Sequence, residues 1–309
     1  MTRLIAFRLL QLPLILGIIY VITFLLVWVA PGDPFQNERE LDPIVRQQLV
    51  DKFHANSTWQ FLGYYPTQLI TRGDFGPSMK YKEWSVNDII LTSLPVSVIL
   101  GTFAMIIATI GGILIGTMAA VRRNGLLDWL SLSVALIGIS VPSFVVAALL
   151  LIFSASGPMR GVFAVGRFER PIDIILPGLA LSLAPMAYIA RLTRVSMLDI
   201  LSGDFVRTAR AKGVSKSWVV WKHCLRNAVL PVISYLGPAA ASTLTGSFVV
   251  EKVFNIKGLG EHFVNSVLNR DQTLILGVVL VYSTFVLLFN LVVDLAYGFV
   301  DPRVNIGGR

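Results

Sequence analysis

The chain is 309 residues long, 55% apolar and only 14% charged, with a mean hydropathy of +0.72. One soluble core of this length cannot use that much apolar surface, so the composition excludes an ordinary soluble domain and points to a bilayer. The single Cys224 excludes an internal disulfide framework and a thiolate metal cage, and the placement of the +8 net charge must decide between nucleic acid and lipid as its reason.

A helix needs about 20 apolar residues to cross roughly 30 Å of hydrocarbon, because its backbone polar groups find no partners outside their own segment. Six stretches meet that length: Leu9–Ala30, Leu94–Val121, Trp129–Ser154, Ile172–Arg191, Ala228–Val250 and Leu274–Val300. The first follows Arg3 and Arg8 as a signal peptide would, but its run is too long and lacks a small-x-small cleavage site, so a retained helix is expected. Between the first two spans, residues 31–92 carry the turn signals Pro31-Gly32-Asp33-Pro34 and Gly73-Asp74-Phe75-Gly76-Pro77 around polar helical stretches, enough chain for a small folded cap.

The second span sets Ala104, Ala108, Gly112, Gly116 and Ala120 at four-residue spacing, a small-residue stripe that lets another helix approach closely. Gly237, Ala241 and Thr245 repeat the pattern more weakly in the fifth. Ser140 and Ser143 in the third span and Ser242, Thr243 and Ser247 in the fifth are candidates for a polar path, although such hydroxyls also bond back to their own helix. In the sixth span Asp294 stands seven residues before Asp301, hence about 10 Å from that end, and shares a face with Asn290. That depth favours a hydrogen-bonded packing role over ion coupling.

With the N-terminus inside, the cytoplasmic segments hold fourteen of the 26 basic residues and only four acids, Asp128, Asp199, Asp204 and Asp301. The positive-inside rule therefore accounts for the net charge, and nucleic acid loses its support. Eight of those basic residues lie between Arg191 and Arg226. Within this stretch Asp204 to Trp218 reads as a short helix closed at Gly213, with Arg210 and Lys212 at the negative end of its dipole and Ser215 or Ser217 capping a second start. By the residues alone, this element is either a knob offered to a cytoplasmic partner or an interfacial helix resting on headgroups.

Arg207-Thr208-Ala209-Arg210-Ala211-Lys212-Gly213, followed by Leu230-Pro231, resembles the cytoplasmic signature of ATP-binding-cassette importer permeases in its peptide-transporter form. The general signature carries Glu-Ala-Ala where Arg207, Thr208 and Ala209 stand, so the glutamate is absent. Ala30-Pro31-Gly32-Asp33-Pro34-Phe35, Gly73 to Ser78, Lys80-Tyr81-Lys82, Ser85 to Asp88, Pro142 to Ala147, Asn269-Arg270-Asp271 and Asp301-Pro302 extend the likeness along nearly the whole chain, toward the B-type subunit of oligopeptide and dipeptide permeases.

The resemblance implies an all-α membrane protein with six transmembrane helices, the type I importer (MetI-like) permease fold, and a cytoplasmic coupling helix. It divides the chain into an N-terminus and first helix (1–30), an external loop (31–92), a five-helix core (93–303) containing the coupling segment 192–227, and a cytoplasmic tail (304–309). It implies multi-pass insertion in a bacterial inner membrane with both termini cytoplasmic. Phe205, Arg207, Thr208, Ala209, Arg210, Ala211, Lys212 and Gly213 would meet an ATPase subunit. The implied partners are a paralogous second permease, two ATPases and an external solute-binding protein.

The sequence carries no Gly-x-x-x-x-Gly-Lys-Ser/Thr loop, so ATP and Mg belong to those partners, and the chain is expected to bind no cofactor and to be no enzyme. The other cargo considered is nickel or another small solute. The other classes are a stand-alone ion-coupled carrier, which would show inverted repeats and mid-span charges, and an intramembrane enzyme, which would need a His-Glu-x-x-His or Gly-x-Ser-x-Gly motif absent here.

Overall fold

The structure, a computed structural model, describes residues 2–30, 43–53, 57–81, 84–156 and 170–300, together with 163 and 168. The expectations at Pro31 to Phe35, at Asp301-Pro302 and for the tail 304–309 lie outside the described residues, as do the side chains of Ser242 and Thr245. The helices are α1 (Thr2–Val29), α2 (Pro43–Lys52), α3 (Thr58–Arg72), α4 (Val86–Val121), α5 (Leu126–Ser140), α6 (Ser143–Ser156), α7 (Ile175–Leu201), α8 (Asp204–Ala211), α9 (Lys216–Trp218), α10 (Leu225–Ala228), α11 (Leu230–Phe254), α12 (Leu259–Asn269) and α13 (Gln272–Val300). A 3₁₀ turn, Pro171–Ile174, leads into α7, and a π-helical turn, Val219–Cys224, joins α9 to α10.

Among the described residues, four helical segments are long and apolar enough to span alone: Arg8–Val29, Val86–Val121, Pro171–Leu201 and Gln272–Leu295. α5 with α6 makes a fifth when the bent pair is taken as one span, and α11, 25 residues long, carries a shorter apolar stretch at Leu230–Ala241.

Three of these differ from the spans expected, one of them the fourth, whose helix α7 continues ten residues past Arg191 to Leu201. The helix of the second starts eight residues earlier, at Val86, because Ser85 and Asp88 form a reciprocal cap: the Asp88 N–H donates to Ser85 Oγ at 3.1 Å, and the Ser85 N–H to Asp88 Oδ2 at 3.2 Å. The third, read as one run from Trp129 to Ser154, is broken by 104° between α5 and α6. Pro142 offers no N–H and pushes the preceding Val141 into extended geometry (φ −87°, ψ 122°), so α5 stops there and α6 restarts on the Pro142 carbonyl, which accepts from Val145 at 3.0 Å.

The chain divides into two compact units. One comprises Ala6–Ser97 and Lys257–Leu287. In it α3, from the segment between the first two spans, packs on α1 through rings: Tyr20 stacks on Tyr65 at 5.9 Å and Phe24 on Phe61 at 6.0 Å, with Leu276 and Leu280 of α13 completing the cluster. The Tyr20 hydroxyl donates to the Leu62 carbonyl at 2.9 Å, which gives the aromatic face a fixed register. The segment 57–81 is thus a folded cap, built on one amphipathic face and closed at Gly73 (φ +65°), a left-handed position that suits glycine.

The other unit comprises Met1–Ile5, Val98–Ile256 and Leu288–Arg309. Its axis is α7, which packs against α5, α6 and α11. The small stripe of α4 also meets α7. A Cβ on Gly112 would lie 2.7 Å from Ile189 Cβ, and one on Gly116 2.7 Å from Thr193 Cβ, while Ala104, Ala108 and Ala120 are buried. Gly237 of α11 likewise leaves room for the side-chain oxygen of Asn290 on α13. Ala241 is partly buried, and Asp294 is half-buried one turn beyond Asn290.

Candidate coupling site

The basic segment after α7 folds into a protruding turn. α7 ends at Ser202-Gly203, and α8 starts with Asp204 in its first turn, where a carboxylate suits the positive end of the helix dipole. At its other end the Gly213 N–H donates to the Arg210 carbonyl at 3.0 Å and the Val214 N–H to the Ala209 carbonyl at 3.2 Å. These two bonds satisfy the orphan carbonyls of the last turn and require the left-handed Gly213 (φ +78°). Ser215 then caps α9, its hydroxyl accepting from the Trp218 N–H at 3.4 Å. The chain returns through the π-helical turn into α10 and α11.

One side chain of α8 anchors it. Val206 is buried in an apolar cluster with Ala120 of α4, Met197 of α7, Val219, Val220 and Cys224 of the π turn and Ala228 of α10, and Ala209 packs at the edge. Burial of the Cys224 thiol there pushes its pKa up, which leaves it a poor nucleophile. The opposite face is open: Arg207, Thr208, Arg210, Ala211, Lys212 and Gly213 are exposed, and the Phe205 ring is 46% exposed. Arg207 reaches Asp204 at 3.5 Å, an exposed i, i+3 pair that leaves the cationic face available. Farther along, the Lys222 ammonium lies 4.3 Å from the Trp218 ring centroid. The element is therefore a short helix with an apolar root and an aromatic and basic crown.

The polar-path candidates separate. Ser140 is exposed at the end of α5, and Ser143, partly buried, opens α6, so both stand at the bend. Thr243 and Ser247 are buried within α11's packing, and their hydroxyls return to the carbonyls of Ala239 (2.8 Å) and Leu244 (2.6 Å). Both hydroxyls thus make the bond to their own helix that such residues commonly make.

Three constellations were not foreseen from the sequence. Tyr188 of α7 and Tyr235 of α11 stack with ring centroids 4.1 Å apart. Asp128 at the start of α5 receives the guanidinium of Arg194 on α7. In the other unit, the buried Asp271 accepts the Ser78 hydroxyl, the N–H groups of Met79 (3.2 Å) and Lys80 (3.3 Å), and the N–H of Leu274 (3.1 Å). One carboxylate thus caps α13 and holds the loop that follows α3. Its sequence signal is an Asp three residues before Leu274, where an apolar helical run begins.

A family model described as "Binding-protein-dependent transport system inner membrane component" matches residues 112–306, a window that contains α5 to α13 and the whole of the α8 element. The chain belongs to this family. It is 44% identical over 289 residues to the dipeptide transport system permease protein DppB of Bacillus subtilis, covering 94% of this chain and 93% of that protein. It is 40% identical over 300 residues to the oligopeptide transport system permease protein OppB of Haemophilus influenzae, covering 96% and 97%, and 40% identical over 297 residues to OppB of Escherichia coli K12, covering 94% and 95%. At those coverages the likeness is not confined to residues 112–306.

Proposed function

We infer that this chain is the membrane permease subunit of an ATP-driven importer of short peptides, and that α8 is the helix through which a separate ATPase drives it. The carrying observation is the architecture of α8 inside a nearly full-length match to dipeptide and oligopeptide permeases: an apolar root fixed to α4, α7 and α10, and a basic crown that is exposed among the described residues. A polytopic member of a binding-protein-dependent transport family with no phosphate loop is a permease and not an enzyme. ATP and Mg then belong to the partners, which we take to be two ATPases, a paralogous second permease that supplies the other half of the pathway, and an external binding protein that delivers the peptide. The charge asymmetry supports insertion in a bacterial inner membrane with α8 and both termini cytoplasmic.

The test is made on the reconstituted complex, reading ATP hydrolysis and peptide uptake together. Gly213→Pro, which cannot hold φ +78°, and the charge reversal Arg207→Glu with Arg210→Glu are each expected to leave insertion intact while separating hydrolysis from uptake. Unchanged uptake per ATP in both variants removes α8 from the coupling path.

A further inference from the structure

The bent span starts at a charge pair. Asp128, in the first turn of α5, is buried. Its carboxylate accepts both Nε and Nη2 of Arg194, the latter at 2.8 Å, and the backbone N–H of Asn124 at 2.9 Å. A two-pronged guanidinium bond fixes orientation as well as distance. Near the far end of α5, Gly138 draws it against α7 again: a Cβ there would lie 3.0 Å from Ala187 Cβ and 3.3 Å from the Leu183 carbonyl. α5 is therefore fastened to α7 near both ends, and the chain bends only afterwards, at Val141-Pro142. Beyond Arg194, α7 continues unbroken to Leu201 and turns through Ser202-Gly203 into α8.

A buried ion pair is a poor stabiliser compared with apolar packing, and its best attested service is to fix one register between elements. We propose that Asp128 and Arg194 form the rigid link that makes α5 move with α7 when α8 is displaced, so that the motion is released at the Val141-Pro142 bend. Both are positioning residues that act through the helices they join. The bend is where Ser140 and Ser143 stand, which puts the moving joint beside two of the hydroxyls considered for a polar path. This link rests on the reading of α8 as the docking helix.

The test uses the complete reconstituted importer, normalised to assembled complex. Asp128→Asn and Arg194→Gln are expected to lower uptake per ATP by about tenfold, within the roughly 5–150-fold span of ordinary coupling energies, with Asp128→Glu and Arg194→Lys in between. In the otherwise native chain, spin labels at the exposed positions Leu136 (α5) and Val195 (α7) are expected to keep one separation with and without ATP, whereas labels at Leu136 and Leu149 (α6) change theirs across the bend. Uptake per ATP within about twofold of native in assembled Asp128→Asn complex, well below ordinary coupling energies, or an ATP-dependent Leu136 to Val195 distance, overturns the link. If the variants do not assemble, the distances decide alone. A Phe205→Cys cross-link to the ATPase is scored in the same preparation: its failure removes the docking reading, while the paired distances still decide whether α5 follows α7.

Discussion

Gly112→Ala adds a single methyl group where α4 crosses α7. Its Cβ would stand 2.7 Å from both Cβ and Cγ2 of the fully buried Ile189 and 2.8 Å from the Met186 carbonyl oxygen. Carbon atoms at rest lie about 3.5–4.0 Å apart, so the helices must separate by roughly 1 Å. Neither obstacle can rotate away, since one is a backbone carbonyl and the other a β-carbon. Forced overpacking of this kind costs about 1–3 kcal/mol. Gly17→Ala in α1, with nothing within 4 Å of the added carbon, is the control and should be neutral. Ile189→Ala should not rescue Gly112→Ala, because it leaves the clashing Cβ in place. The assay is the thermal midpoint of the purified protein in detergent, followed by size-exclusion fluorescence. A Gly112→Ala protein as stable as the Gly17→Ala control would refute the claim that this stripe is a contact between α4 and α7.

Asp271→Ala should cost about 3 kcal/mol, because it removes a helix cap worth roughly 1 kcal/mol and orphans buried loop donors worth about 1–3 kcal/mol more, and limited proteolysis should then cut within residues 73–81. The His262 imidazole on α12 is held below its ordinary pKa by burial, with Glu261 opposing the effect and Lys257 adding to it; its Nδ1 is buried without a hydrogen-bond partner among the described residues, and its ring meets that of Tyr81 edge to face with centroids 6.0 Å apart. The unfolded chain binds this proton more readily than the folded one, so the stabilisation is complete above about pH 6.5 and is lost as pH falls below it. Melting at pH 5 and pH 7.5 should show that loss, and His262→Leu should shrink it.

Local chemistry was legible in the sequence and long-range pairing was not. The closure of α8 at Gly213 and the cap at Ser215 depend on residues within five positions of each other, and the sequence carries those whole. The Ser85 to Asp88 cap was equally local, but it lay inside a stretch read as loop, so the start of α4 was placed too late. The bend at Pro142 was harder to foresee, since Pro95, Pro185 and Pro238 all sit inside continuous helices. A proline breaks a span only where packing does not restore what its missing N–H gives up, and hydropathy does not record that. Asp128 and Arg194 are 66 residues apart, and the sequence counts each among the cytoplasmic charges that orient the chain. Charge counting orients a chain, but it does not show which charges leave water and meet.

The absent glutamate of the general permease signature can now be placed in physical terms. Arg207 occupies its position and is exposed, paired with the exposed Asp204. An exposed pair of this kind cannot hold a helix in place. The hold comes from the neighbouring position, where Val206 is 1% exposed among side chains of α4, α7, the π turn and α10. Attachment of α8 to the membrane helices is therefore apolar, and the residue at 207 is free to be chosen by whatever meets the crown. Replacing Val206 should loosen the element from its own chain, whereas replacing Arg207 should change only its fit to a partner. Arginine in place of glutamate thus changes the exposed crown of α8 and leaves its apolar root intact.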